Sequence, residues 1–162
     1  MKILSIDQSL TNCAIIIWED GLVYDFQVIH SDKELEDHQR IFEISSQIAQ
    51  LMKDENIHTL AIEGLSLGNN IGNSTRVLAG LYYSILIEAY KQDIEIKVFT
   101  PTQVKKFATG SGKAKKPEMF QALPDKIKNK IENSNYKTIS KGKYDLADAY
   151  FIGKIYLENY TN

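Results

Sequence analysis

Four carboxylates stand where their neighbours are apolar. Asp7 ends the run Ile3-Leu4-Ser5-Ile6, and Glu63 ends Leu60-Ala61-Ile62. Asp145 and Asp148 interrupt a stretch that includes Tyr144, Leu146, Ala147, Ala149, Tyr150 and Phe151. An ionised carboxylate is costly to take out of water unless a cation offsets it. Oxygen donors of this kind suit the hard ions Mg2+ and Mn2+. Two such ions about 4 Å apart activate a water and stabilise the leaving oxygen of a phosphodiester. Taken singly, each acid has a structural alternative. Asp7 can open a turn, and Glu63 can pair with a surface lysine. Asp145 and Asp148 can occupy a solvated first turn, where the helix dipole favours acids. Together, two strand-ending acids and a helical acid pair are hard to place except around one metal site.

The elements that must position these acids follow from the hydrophobic pattern. Residues 2–7 read as a short apolar strand. Cys13 to Trp18 is a second run, Glu19-Asp20-Gly21 follows it, and Leu22 to Ile29 alternates as a returning strand. Asp-Gly between two such runs predicts a tight hairpin. Ile41, Ile44, Ile48, Leu51 and Met52 recur at helical spacing within residues 34–54. His58 to Glu63 reads as a buried strand, Gly64 to Asn73 as a glycine- and asparagine-rich loop, and Ser74 to Tyr90 as a helix. A strand is predicted over Ile94 to Phe99. Thr100-Pro101-Thr102-Gln103 then opens a helix, with Thr100 as its cap, proline at the first position and glutamine three residues on. Residues 117–133 are helical with a break at Pro124. A final helix over 143–157 sets Asp145 and Asp148 at neighbouring positions of one face. The sum is one α/β domain over residues 1–162, with a mixed five-stranded sheet (three antiparallel strands, then parallel ones) flanked by helices. In open sheets functional groups collect at the carboxyl ends of strands. Asp7 and Glu63 sit at such ends.

A chain of 162 residues with 43% hydrophobic side chains has room for a real core. No uncharged stretch approaches the roughly 18 residues that a membrane span needs. An acid at position 7 interrupts the apolar core of any leader, and the single cysteine, Cys13, has no internal disulfide partner. A cytoplasmic protein without membrane contact is the expectation. The net charge is only −2, yet residues 1–90 carry 5 Lys/Arg against 13 Asp/Glu, and residues 91–143 carry 13 Lys against 5 acids. A basic lobe beside an acidic one attracts a polyanion locally while the total stays near neutral. A solvated lysine-rich surface is the plainer alternative. Gly110-Ser111-Gly112-Lys113-Ala114-Lys115-Lys116 is not a nucleotide loop, because Phe107 stands where the first glycine belongs and Ala114 where Ser or Thr is needed. It reads instead as a basic loop touching a nucleic-acid backbone. Val77 to Ile87 holds no charged residue. Such a helix must be covered on more than one side: one side faces the sheet and the other is expected to form an isologous dimer contact, with a central helix of a monomer as the alternative.

Ile3-Leu4-Ser5-Ile6-Asp7, Leu60-Ala61-Ile62-Glu63 and Asp145-Leu146-Ala147-Asp148-Ala149 resemble, in order and spacing, the three acidic motifs of the RuvC-type Holliday junction resolvases. These are nucleases of the RNase H-like fold. The similarity continues through Val98-Phe99, Gln103-Val104-Lys105 and the Gly110–Lys116 loop. The resemblance implies a homodimeric, Mg2+-dependent endonuclease of branched DNA, the Holliday junction foremost, in which Mn2+ can substitute. It implies Asp7, Glu63, Asp145 and Asp148 as catalytic metal ligands, and no organic cofactor. Lys105, Lys106 and Lys116 match lysines of the family's DNA-contacting region, and Lys113 and Lys115 join them in the basic loop. Leu65, Ser66 and Leu67 follow a ligand strand and so belong beside the scissile phosphate. Two departures stand out. Gln8-Ser9 replaces the usual Pro-Gly, and the loop after Glu63 lacks the family's frequent aromatic residue. They point to a divergent, phage-type member with relaxed selectivity among branched structures. A flap- or RNA-directed nuclease, a noncatalytic DNA-binding module and a sugar-kinase-like ATPase are the rival readings. The chain is far too short for the two lobes of the last.

Overall fold

A computed structural model describes residues 1–65 and 72–160. Its strands are β1 (Lys2–Asp7), β2 (Cys13–Glu19), β3 (Leu22–Ile29), β4 (Thr59–Glu63) and β5 (Glu95–Phe99). Its helices are α1 (Asp37–Asp54), α2 (Asn73–Lys91), α3 (Pro101–Thr109), α4 (Lys116–Gln121), α5 (Asp125–Glu132) and α6 (Lys143–Tyr160). The strands form one sheet in the order β3-β2-β1-β4-β5. β1, β2 and β3 are antiparallel neighbours, while β4 runs parallel to β1 and β5 parallel to β4. The predicted mixed sheet is therefore present.

Local signals set these boundaries. Asp20 and Gly21 both take positive φ, 49° and 79°, as a two-residue hairpin requires, and Glu19 pairs directly with Leu22. α1 starts at Asp37, three residues later than its hydrophobic spacing suggests, because Glu36 and Gln39 close a reciprocal capping box there. Thr100 caps α3 as predicted, its hydroxyl accepting from the Gln103 amide. Pro124 separates α4 from α5, since proline cannot donate the amide bond that a continuous helix needs.

The two faces of the sheet carry separate cores. Leu4, Ile6, Ile15 and Ile17 pack with Ile44 and Ile48 of α1 and Leu81 and Ile85 of α2. Ile3, Ala14, Ile16, Trp18 and Ala61 pack with Leu146, Ala149, Ile152 and Tyr156 of α6. On α2, Leu81, Tyr82, Ile85 and Ala89 are buried whereas Tyr83, Ile87 and Tyr90 are exposed. The uncharged helix is thus covered on one side only among the described residues. No helix among them is long and apolar enough to cross a membrane.

Candidate active site

Strand alternation decides which way the acids face. Side chains two apart share a face of a strand. Ile3 of β1 and Ala61 of β4 pack on the α6 side, while Leu4, Ile6, Leu60 and Ile62 pack on the other. The same period sends Asp7 and Glu63 toward α6. β1 and β4 pair Ile6 with Ile62, so that register sets Asp7 level with Glu63.

α6 supplies the other two acids by lying close on the sheet. A Cβ at Gly153 would meet Trp18 Nε1 at 2.1 Å and Ser5 Oγ at 2.8 Å, so only glycine permits this approach. Trp18 Nε1 donates to Ser5 Oγ at 2.9 Å beneath it, and Tyr156 Oη lies 3.3 Å from Thr59 Oγ1 farther along. From Gly153 back to Asp148 is roughly 7.5 Å of helix. From Ser5 forward to Asp7 is roughly 6.6 Å of strand. The helix therefore delivers Asp148, with Asp145 one turn earlier, over the ends of β1 and β4. All four acids line one cleft of about 280 Å3, together with Gln8, Lys105 and Lys116.

The electrostatics of that cleft are unbalanced. Burial, aided by Asp148 and Glu63, holds the Asp7 carboxyl well above the ordinary carboxylate range. Burial and then Asp148 push Glu63 up to about 7, against the pull of Lys105 and Lys116. Burial also pushes Asp148 up to about 6; Lys116 opposes this and Asp145 adds to it. Lys116 is the nearest compensating charge. Its ammonium bonds to the Asp145 carboxylate and lies 4.0 Å from Asp148. Burial disfavours that ammonium, but the bond to Asp145 and the charges of Asp145, Asp7 and Asp148 raise its pKa above the usual lysine value. Two cations facing four acids leave a deficit.

Sequence reading groups Lys116 with the DNA-contacting lysines. The structure sets it against Asp145 inside the cleft, because α4 packs directly on α6. Lys105 lines the same cleft from α3. Lys106, Lys113 and Lys115 are exposed, the first on α3 and the others on the loop before α4. Leu65 is partly buried against the core between the sheet and the α1–α2 pair. Ser66 and Leu67, with the rest of the expected selectivity loop through residue 71, lie outside the described residues. Two residues escaped the sequence reading. Gln8 Nε2 donates to the Glu63 carbonyl at 2.8 Å, and Asn12 Nδ2 donates to the Asp145 carboxylate at 3.2 Å. Sequence reading marks Gln8 only as a departure after Asp7 and gives it no role, and Asn12 signals itself only by standing near Asp7 in a polar turn, which fits a loop-former equally well.

The donor set suits a hard divalent ion. Four carboxylates, three of them driven toward protonation by burial and mutual repulsion, need more positive charge than two lysines bring. Among the described residues no three His, Cys, Asp or Glu side chains are already closed into an ion-holding group. The Lys116 ammonium lies against Asp145 and Asp148 in that space. An ion entering there competes with a lysine that can withdraw to solvent, its side chain being 55% exposed.

Known proteins resemble this chain in sequence and in fold. A family model described as crossover junction endodeoxyribonuclease RuvC matches residues 3–140, ending short of Asp145. The crossover junction endodeoxyribonuclease RuvC of Mycobacterium sp. (strain KMS) is 27% identical over 128 residues, spanning 76% of this chain and 69% of that protein. Its counterpart in Mycolicibacterium smegmatis is 28% identical over the same length and coverage. Among solved structures, Thermus thermophilus RuvC in complex with a Holliday junction substrate superposes with a TM-score of 0.70 at 15% identity, covering 96% of both chains. The yeast mitochondrial Holliday junction resolvase gives 0.63 at 16% identity, covering 98% of this chain and 80% of that one. These likenesses make the fold RNase H-like and, covering 96% and 98% of the chain, reach past the end of the family match into α6. With the matched region covering most of the sequence, the chain belongs to the crossover junction endodeoxyribonuclease RuvC family.

Proposed function

We propose that this chain hydrolyses phosphodiester bonds at Holliday junctions and other branched DNA, with Asp7, Glu63, Asp145 and Asp148 as its catalytic carboxylates. Membership of the RuvC family carries the structure-selective endonuclease activity and the junction substrate. The observation that supports the residue assignment is the convergence of four acids and two lysines in one cleft at the carboxyl ends of β1 and β4. A noncatalytic DNA-binding module has no use for buried, mutually repelling carboxylates facing a polyanion.

The RuvC family depends on a divalent metal, and we assign Mg2+ to this chain, with Mn2+ able to replace it. Asp7, Glu63, Asp145 and Asp148 would hold the ion. When bound it supplies Lewis acidity to the scissile phosphate and lowers the pKa of water. The chain's own residues do the rest. Lys105 offsets the charge of Glu63 and Asp148 and stands on α3 at the cleft, where a phosphate oxygen would arrive. Lys116 neutralises Asp145 until substrate and ion enter, and is then free to meet a phosphate. Asn12 fixes the orientation of Asp145 through its amide. Lys106, Lys113 and Lys115 supply salt-sensitive backbone affinity that carries no sequence information.

Residues 1–162 act as one nuclease domain in this reading, and two copies act together. Tyr83, Ile87 and Tyr90 form a stripe at helical spacing on α2, 58%, 53% and 79% exposed, with Phe42 of α1 beside it. That stripe is the face proposed for an isologous contact. A panel of labelled static junctions, mobile junctions, three-way branches, flaps and RNA hybrids, incubated with Mg2+ or Mn2+, tests the function. Metal-dependent incision at four-way junctions is the expected result. Incision of RNA hybrids or flaps with junctions untouched would favour the rival nuclease, and junction binding without incision would favour the noncatalytic module.

A further inference from the structure

Among the described residues, two buried side-chain oxygen atoms have no hydrogen-bond partner: Gln8 Oε1 and Asn12 Oδ1. Both belong to the turn that follows Asp7, and both are tied to the acidic site through their amide nitrogens. Gln8 Nε2 must be the donor to the Glu63 carbonyl, and Asn12 Nδ2 the donor to the Asp145 carboxylate, since neither partner can donate. The amide orientation is thereby fixed, and each oxygen is the atom left over. A buried acceptor without a donor is rare and costs its full desolvation. Two of them, within one turn and beside four carboxylates, call for a common partner.

Among the described residues no donor of the chain reaches either oxygen, and the Lys116 ammonium in the cleft is engaged by Asp145 and Asp148. Side-chain amide oxygens are good ligands for hard cations, and being neutral they add no repulsion to a site that already holds four acids. Gln8 lines the cleft that holds the four acids and Asn12 is bonded to one of those acids, so a cation with its water shell bound in that cleft is a partner both oxygens could share.

Resting on the metal reading of the four acids, we propose that Gln8 and Asn12 extend the cation site with neutral oxygens, Oε1 and Oδ1, directly or through the ion's water shell. Each amide then does two things: its nitrogen holds an acidic ligand or its strand in place, and its oxygen serves the ion. The neutral pair strengthens ion binding without deepening the charge deficit of the cleft.

The test is isothermal titration of Mn2+ into the metal-stripped full chain, with melting in chelator as a separate readout of the fold. Gln8→Met and Asn12→Leu each raise the Kd for Mn2+ about tenfold, while Gln8→Glu, which loses the donor to the Glu63 carbonyl as Gln8→Met does but keeps an oxygen at that place, binds more tightly than Gln8→Met. Asp7→Asn serves as the control for the acids and abolishes binding. A lower melting temperature with unchanged Kd in Gln8→Met and Asn12→Leu makes both amides structural and overturns the inference. So does a Gln8→Glu chain that binds as poorly as Gln8→Met. If Asp7→Asn binds Mn2+ like the native chain, the metal reading of the acids fails and takes this inference with it.

Discussion

At the residue scale the site is a set of charges held in unfavourable company. Asp7, Glu63 and Asp148 all have carboxyls raised by burial, to about 7 for Glu63 and about 6 for Asp148. Between the ordinary carboxylate range and those values, the folded chain binds protons that the unfolded chain has released. Stability then falls as pH rises through that window. Without metal, the melting temperature is therefore expected to drop between about pH 4.5 and pH 7.5. Glu63→Gln and Asp148→Asn should flatten this dependence and melt higher than the native chain at pH 7.5 in chelator. The same two variants are expected to lose metal-dependent cleavage while retaining DNA binding. The combination is diagnostic, because a surface carboxylate changed to its amide alters neither quantity by much. Near-normal turnover in Asp148→Asn or Glu63→Gln would remove those acids from the mechanism. Equal pH slopes for native and variant chains would instead locate the strain elsewhere.

At the scale of elements, the geometry of the acidic cleft depends on how closely α6 lies on β1 and β2. Gly153 is the contact that sets this distance, since a methyl group there meets the Trp18 ring and Ser5 Oγ. Gly153→Ala forces either the Trp18–Ser5 hydrogen bond or the helix to move. Overpacking of this kind costs about 1–3 kcal/mol, and each kcal/mol lowers Tm by roughly 2–4 °C in a domain of this size. A larger fall in cleavage than in Tm is expected, measured at a temperature where the variant is folded, because Asp148 rides on the displaced helix. An unchanged Tm would mean that α6 is set by its other contacts. The elements themselves were largely legible in the sequence, because local chemistry dictates them. Asp20-Gly21 takes the two positive φ angles of a tight hairpin, Thr100 and Gln103 cap α3, and period-two alternation carries Asp7 and Glu63 to one face. What sequence could not disclose depends on tertiary approach. Lys116 and Asp145 are 29 residues apart and meet only because α4 packs on α6. Gln8 and Asn12 read as turn residues until Glu63 and Asp145 are brought to them. The absence of charge from Val77 to Ile87 suggests two covered sides, but a single sequence gives no means of saying which side chains face the sheet.

At the scale of the whole molecule, charge and apolar surface are segregated in ways that suit a two-fold symmetric DNA substrate. If the basic segment is the polyanion's side, as proposed, neutralising Lys106, Lys113 and Lys115 together should reduce the slope of log affinity against log salt by up to about 3, roughly 0.9 for each phosphate no longer neutralised. A slope that does not change would assign these lysines to solvent. The exposed stripe on α2 is the contact proposed for the second requirement, a fixed pair of sites. A four-way junction resolves only when two strands are cut, and two paired incisions need two active sites held in fixed relation. Leu81 and Ile85 are wholly buried, so charges placed there would report on folding rather than on assembly. Tyr83 and Ile87 point outward on the same helix, and Ile87 shares a shallow groove with Phe42 of α1. Ile87→Lys and Tyr83→Lys should therefore leave Tm within a few degrees of the native chain while shifting its mass in light scattering from dimer to monomer. In the monomeric variants, nicking of one strand should persist and paired incision within one junction should fall steeply, since the chemistry resides within each chain and only the coordination is lost. A native chain that scatters as a monomer at assay concentrations, both alone and with junction DNA, would reject this contact. Paired incision at the native rate by a monomeric Ile87→Lys chain would show that junction symmetry is met by sequential visits instead.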